Sequence, residues 1–311
     1  MIYTLTPQEG CFPGVHRHLS ELEQFGTKHI YLSQLNQVTE NDAVIFGAWE
    51  PSTYPMAIRR CKARLKAILF TSPLLQAQMN DPELSFLDTI LTLKGNGVID
   101  CLLFADLETY EVFKDLVPNV HHLPHPADPK KIEPYILQDK DYTGEQKKDI
   151  FMYLPWGNKN KNQMTQLAAV KLFQRNNPGV KFHTNGMGPW AAWADRLQID
   201  YCDQGYLQRE FYYASIFMKR CGLHVTLSES FAYGVLDAFL LSVPVVCSPA
   251  IDWAPAIVKV TNPDDPIEIA HKLGAMFTDP RGYTETVREY ALMKIKSNNE
   301  KAKKLLETVF S

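Results

Sequence analysis

Two carboxylates, Glu229 and Asp237, stand with seven residues between them inside the otherwise apolar passage LHVTLSESFAYGVLDAFLLSVPVV, Leu223 to Val246. Charged groups in such a run are costly to bury unless a partner or a ligand engages them. The alternation Leu223-Val225-Leu227 predicts a strand that ends at Ser228 and Glu229. The turn Ser230-Phe231-Ala232-Tyr233-Gly234 then opens an apolar helix, whose first backbone N–H groups have no partner within the helix and form a ready anion site. A carboxylate before that helix and a second inside it could accept hydrogen bonds from hydroxyls at both ends of a sugar nucleotide, with the amides between them on its phosphates.

The elements that must position these groups follow from the apolar runs. MIYTL, KHIYL, DAVIFG, KAILFT, DCLLFA and VHHLP precede residue 126, and DIFMYLP, VKFHTNG, IDYCDQG, LHVTLS and VPVVCS follow it, alternating with segments of helical spacing. This pattern predicts β-α units on parallel sheets, arranged as two Rossmann-like halves. The first half is expected over residues 1–126 and the second over 150–282. Residues 127–149, polar and broken by Pro129, Pro134 and Gly144, read as the linker. The segment 283–311 carries Ala302, Leu305, Leu306 and Val309 at helical spacing, and is expected to be a terminal helix that packs back on the N-terminal domain.

Bulk properties exclude several classes. The chain has 311 residues, 45% hydrophobic and 22% charged, with a formal charge of -3, so no global attraction to nucleic acid or anionic membrane is expected. No apolar run is long enough to span a bilayer and no signal-peptide pattern is present, which reads as a cytoplasmic protein. The six cysteines are scattered without a Cys-x-x-Cys pair and read as buried free thiols.

The register of Glu229, Phe231, Leu236, Asp237, Ala238 and Pro244-Val245-Val246 resembles the donor-site signature of retaining glycosyltransferases of the GT-B fold, the glycogen-synthase-like and family-four group. There the passage reads like EGFGLPVLEAMACGTPVV. The resemblance extends to PGVHRHLSELEQFG, similar to the group's N-terminal glycine loop and helix, to TNGMGP, similar to its GxGP turn, and to FADLETYEVFKDLVPNVHHLPHPAD and VTNPDDPIEIAHKL. It implies an α/β GT-B fold, two Rossmann-like domains with parallel sheets facing across a cleft, and the chain's compactness resembles members of viral or phage type.

The resemblance also implies roles. Glu229 would contact the donor sugar's hydroxyls and Asp237 the ribose, with the amides around Ser230, Phe231, Ala232 and Tyr233 facing the pyrophosphate. Lys161 matches the basic residue that neutralises the diphosphate leaving group, and Gly14 would let the first loop approach the phosphates. Where the family usually carries an Arg, this chain has Gly157, Asn158 and Lys159, so Lys159 joins the donor set, as does Gly186 of the GxGP-like turn. Ser72 stands where a His is common, and the second acid is Asp. Trp49 and Glu50, at a strand's carboxyl end in the first half, could hold an acceptor, with capping of the next helix the other reading of Glu50, and Ser72 joins them as an acceptor-side candidate. The chemistry implied is transfer of a hexose with retention, glucose from UDP-glucose being the leading donor, with charge neutralised by Lys161, Lys159 and helix amides.

No Asp-x-Asp motif sits at a strand end, and Asp264-Asp265 read as a loop and helix cap, so no metal and no cofactor beyond the nucleotide-sugar donor are expected. The acceptor is left open between a glycan, a small molecule and modified DNA. The run Arg59-Arg60-Cys61-Lys62-Ala63-Arg64-Leu65-Lys66 reads as a solvated helix end or as an anionic contact, which keeps a phage-type enzyme acting on hydroxymethylated bases as an alternative. A non-catalytic sugar-nucleotide or glycan binding module is the other. His121, His122 and His125, interrupted by Pro124 and Pro126, read as a domain-crossing loop, and Trp190 and Trp193 as core packing.

Overall fold

The computed structural model describes residues 1–8, 13–47, 54–137, 147–153 and 159–310. The chain divides into two compact units, Met1–Asp128 with Ile295–Ser311, and Pro129–Lys294.

In the first unit the apolar runs become six parallel strands, β1 (Ile2–Thr6), β2 (Lys28–Tyr31), β3 (Ala43–Gly47), β4 (Leu65–Phe70), β5 (Cys101–Phe104) and β6 (Val120–His122), in the order β2-β1-β3-β4-β5-β6. Parallel neighbours need crossovers, and the helices supply them: α1 (Pro13–Glu21), α2 (Tyr54–Arg60), α3 (Leu74–Met79), α4 (Asp81–Gly95) and α5 (Leu107–Phe113). Because helices cover both faces, β3 and β5 are apolar at every position and β4 is so from Ala67 to Phe70. Val44, Phe46, Ile68, Phe70, Leu102 and Phe104 pack with Tyr54, Ile58, Phe86 and Ile90 on one face. Ile45, Ala67, Leu69, Cys101 and Leu103 pack with Leu19 of α1 and with Leu22 just beyond it on the other. Gly47 permits that closeness: a Cβ there would lie 2.3 Å from Cδ1 of Leu19 and 2.7 Å from Cγ1 of Val15.

The second unit begins with a short 3₁₀ turn (Pro129–Lys131) and α6 (Glu133–Leu137), whose Tyr135 ring lies 5.1 Å from that of Tyr213. Five parallel strands follow: β7 (Ile150–Met152), β8 (Phe182–Thr184), β9 (Tyr201–Asp203), β10 (Cys221–His224) and β11 (Val245–Cys247). Their order, β11-β10-β7-β8-β9, is that of a Rossmann half, with its switch point between β7 and β10. The remaining helices are α7 (Gln163–Asn176), α8 (Trp190–Arg196), α9 (Arg209–Phe217), α10 (Tyr233–Leu240), α11 (Pro266–Thr278) and α12 (Arg281–Val309). Asp265 caps α11, accepting from the N–H groups of Ile267 and Glu268 at 2.8 and 3.2 Å.

Helix α12 runs through the unit boundary, and its last turns belong to the first unit, where Ala302, Leu306 and Phe310 join the core beside α1. There Asn299 grips Ala127 in both directions, accepting from its N–H at 3.1 Å and donating to its carbonyl at 2.8 Å, while Asn298 donates to the carbonyl of His125 at 2.8 Å. No helix among the described residues is long and apolar enough to cross a membrane. Cys61, Cys101, Cys221 and Cys247 are buried free thiols, as the scatter of cysteines predicts, whereas Cys202 on the edge strand β9 is exposed.

Candidate functional site

Strands β7 and β10 pair Ile150 with Cys221, Phe151 with Gly222 and Met152 with Leu223, so both chains leave the sheet at the same level, on either side of the switch point. Ligands of open α/β sheets bind in the crevice that such a divergence leaves. Beyond β7 lies the 3₁₀ turn Lys159–Lys161, and beyond β10 the segment Ser228–Ala232 before α10.

Two fully buried side chains tie these segments together. Asn160 donates its side-chain amide to the carbonyl of Ser228 at 2.8 Å, and its main-chain carbonyl accepts from the N–H of Leu227 at 2.7 Å. Gln166 donates to the carbonyl of Lys161 at 2.6 Å and accepts from the N–H of Val225 at 2.9 Å. Asn162, in the left-handed region at φ 50°, turns the chain into α7 and donates to the carbonyl of Pro263 at 2.7 Å. These bonds satisfy backbone groups that no strand or helix could reach.

Their result is a buried ion pair. Nζ of Lys161 donates to Oε2 of Glu229, the two side chains being 9% and 10% exposed. Nε2 of His224, the last residue of β10, lies 3.1 Å from the same oxygen. Oε1 of Glu229 has no hydrogen-bond partner among the described residues. Burial alone would push the carboxyl up, but the Lys161 charge and the His224 hydrogen bond outweigh it and hold the group at about 2. Burial holds the His224 imidazole below its ordinary value, only partly offset by its bond to Glu229. The ring of Tyr153 stacks on His224 at 6.3 Å, and burial, with the Glu229 charge, pushes its hydroxyl up.

The turn into α10 is fixed by aromatic packing. Nε1 of Trp253 donates to the carbonyl of Phe231 at 2.7 Å, and its ring packs against Phe231 and Phe239. Ala232, the cap of α10, sits at φ 61°, which re-aims the chain so that Tyr233 begins the helix. Ser230 and Tyr233 are half-buried, Phe231 and Ala232 buried. Asp237 lies one turn inside α10 and is 1% exposed. The chemistry available is therefore a carboxylate held by a lysine and an imidazole, beside the N-terminus of an eight-residue helix.

The other expected residues are placed as follows. Lys159 is exposed on the turn that carries Lys161. Gly186, at φ 91°, lies just past the carboxyl end of β8, where Asp203 at the end of β9 accepts from the N–H groups of Gly186, Met187 and Gly205 at 2.7, 2.9 and 3.1 Å. Burial works against that carboxylate, yet the three bonds hold it below its usual range. Gly14 is exposed, and a Cβ there would meet nothing within 4 Å, so the protein's own packing does not require glycine. Ser72, past the end of β4, is buried and accepts from Nε2 of Gln76 at 3.4 Å. Trp49 and Glu50 lie outside the described residues.

Three expectations are corrected. Trp193 is 42% exposed under the Arg196 guanidinium rather than core, because only one face of the short helix α8 packs. The basic run is not a single helix end: α2 stops at Arg60, and Lys62, Arg64 and Lys66 lead into β4 at the amino edge of the first sheet. His121 and His122 belong to β6 instead of a loop, while His125 is buried with its ring 4.4 Å from that of His18. Among the described residues no group of three or more His, Cys, Asp or Glu could hold a metal ion.

Sequence reasoning does not single out Asn160, Gln166, His224, Asp203 or Trp253. Asp203 alone carries a signal, a carboxylate at a strand end before a glycine turn; the others look like ordinary helix, strand or loop residues.

No protein-family model matches the chain, and no curated protein matches its sequence. Solved structures do match in three dimensions. An α,α-trehalose-phosphate synthase (UDP-forming) from Burkholderia vietnamiensis superposes with a TM-score of 0.67 at 12% identity, over 96% of this chain and 78% of that one. The N-terminal domain of Candida albicans trehalose-6-phosphate phosphatase gives 0.66 at 12%, over 98% and 95%. A point mutant of S. aureus TarM, in complex with fondaparinux, alpha-GlcNAc-glycerol and UDP, gives 0.66 at 13%, over 89% and 58%. The fold that the chain shares with these structures is GT-B, the α/β architecture of two Rossmann-like units found in glycosyltransferases.

Proposed function

We propose that the protein is a retaining glycosyltransferase of the glycogen-synthase-like and family-four group, which moves a hexose from a nucleotide sugar to an acceptor hydroxyl. The observation that carries this reading is Glu229 at the switch point, with one carboxylate oxygen engaged by Lys161 and His224 and the other without a hydrogen-bond partner among the described residues. A carboxylate held ionised with a free oxygen is an acceptor for sugar hydroxyls. UDP-glucose is the first donor to test, because an E. coli neighbour, similar over 97% of this chain at 13% identity, is described as bound with UDP-2-fluoro glucose.

In this reading Lys161 leaves Glu229 for the diphosphate and neutralises the leaving group, with Lys159 adding positive charge from the same turn. The backbone amides from Ser230 to Tyr233 face the phosphates. Asp237, buried one turn inside α10, is assigned to the ribose. Gly186 and Gly14 contribute backbone on the donor, and Ser72, Trp49 and Glu50 stand on the acceptor side. The leaving phosphate helps deprotonate the acceptor on the face it departs from, so configuration at the anomeric carbon is retained.

The test is release of nucleoside diphosphate from UDP-glucose, UDP-GlcNAc, ADP-glucose and GDP-mannose, with and without glycan, small-molecule and hydroxymethylated-DNA acceptors. Glu229→Gln and Lys161→Ala are each expected to lower turnover by on the order of 10²-fold. Absence of both turnover and any nucleotide-induced rise in melting temperature would sink the proposal. Binding without turnover would favour the binding-module reading.

A further inference from the structure

We infer that His224 is a positioning residue, which keeps Glu229 oriented and ionised when a nucleoside diphosphate draws Lys161 away from it; this rests on the donor-site reading above. Both donors to Glu229 converge on Oε2: the Lys161 ammonium and Nε2 of His224 at 3.1 Å. A diphosphate bears more negative charge than a single carboxylate, so it competes for the lysine. Once that cation is shared, burial favours the protonated form of Glu229, which would turn its acceptor oxygen into a donor. The imidazole is neutral in its buried setting, and a neutral N–H is a much weaker target for the phosphates.

His224 is also the better-anchored of the two donors. It closes β10, in register with Cys247 of β11, and is almost fully buried. Tyr153 stacks on its ring with 21° between the planes. The titratable groups that surround it are Glu229 from its own loop, Lys161 from the 3₁₀ turn and Tyr153 after β7. Lys161, by contrast, hangs on four rotatable bonds and can swing.

The experiment follows the Glu229 side-chain carboxyl by ¹³C NMR titration in wild type, His224→Leu and His224→Gln, each alone and with UDP. In wild type the carboxyl stays ionised in both states. In His224→Leu with UDP bound, its midpoint is expected to rise by about one pH unit or more, the worth of one charge-directed hydrogen bond, and His224→Gln, which keeps an N–H donor, restores it. A midpoint unchanged by His224→Leu in the UDP complex overturns the role. Where UDP fails to bind wild type, the donor-site reading fails instead, and the question moves to a Lys161→Met background. There His224→Leu must still raise the Glu229 midpoint, and no rise overturns the inference on its own. In turnover, His224→Leu is expected to lower kcat about tenfold with little change in the donor KM, and to move the acid limb of the pH profile upward; His224→Gln recovers the profile. Should the leucine variant not fold, the glutamine and wild-type comparison remains: a glutamine profile with the acid limb displaced as far as loss of the bond would move it also overturns the role.

Discussion

Asn160 donates its side-chain amide to the carbonyl of Ser228 at 2.8 Å, so the residues immediately before Lys161 and Glu229 are bound to each other. The ion pair is thus assembled by its neighbours: the backbone is stitched first, and the charged side chains meet as a consequence. Asn160→Ala leaves the Ser228 carbonyl without this donor. It is expected to cost about 1–3 kcal/mol in urea unfolding and to lower turnover, with Asn160→Asp no better, since Oδ cannot donate.

Lys161 and Glu229 stabilise the second unit as a pair rather than singly. Lys161→Met removes the cation from a buried carboxylate and is expected to cost about 3 kcal/mol at neutral pH. The double variant Lys161→Met with Glu229→Leu recovers much of that loss, and a double-mutant cycle in urea measures the coupling.

The same pair sets an acid response. The folded Glu229 carboxyl lies at about 2 against an ordinary 4.5, so its stabilisation is complete above about 4.5 and is lost as pH falls through about 2. It amounts to about 3 kcal/mol. Glu229→Gln abolishes that part of the pH dependence, which unfolding midpoints between pH 6 and 2.5 would report. In Lys161→Met the midpoint of Glu229 should rise, because burial then has less to oppose it.

The first unit carries an acid response of its own in His18. Burial, with His122 nearby, lowers this imidazole from 6.5 to about 3. A base lowered on folding contributes stability above its unfolded value, and that contribution is lost as pH falls from about 6.5 through 3. Wild type should lose on the order of 3 kcal/mol from this group between pH 7 and pH 4. His18→Leu should lose correspondingly less, as tracked by urea midpoints at the two pH values.

Asp203 orders the Gly186 turn through three backbone N–H groups. Asp203→Ala is expected to raise hydrogen exchange at Gly186 and Met187 by on the order of tenfold or more, since hydrogen bonds to a charged group contribute about 1.5–3 kcal/mol. If the turn holds the donor, its KM rises more than kcat falls.

How much of this was legible without coordinates differs between levels. Each of the eleven apolar runs became a strand among the described residues; inner strands such as β3 and β5 are apolar throughout because both faces are buried, while the edge strands β2 and β9 keep polar, partly exposed positions. The amphipathic tail became α12, and Asp265 became a cap, each from local spacing alone. A resemblance of motifs points to Lys161 and Glu229, and the structure brings them into contact across 68 residues of chain.

The sequence by itself determined the periodicities, the turn chemistry and the residue types at the strand ends, since these depend on neighbours a few positions away. Only the tertiary structure decided that Asn160 and Gln166 bind the two segments together, that His224 shares an oxygen of Glu229 with Lys161, and that Trp193 stays exposed. Hydrogen bonds, burial and charge coupling act through space, and no local pattern encodes which distant residue will supply the partner.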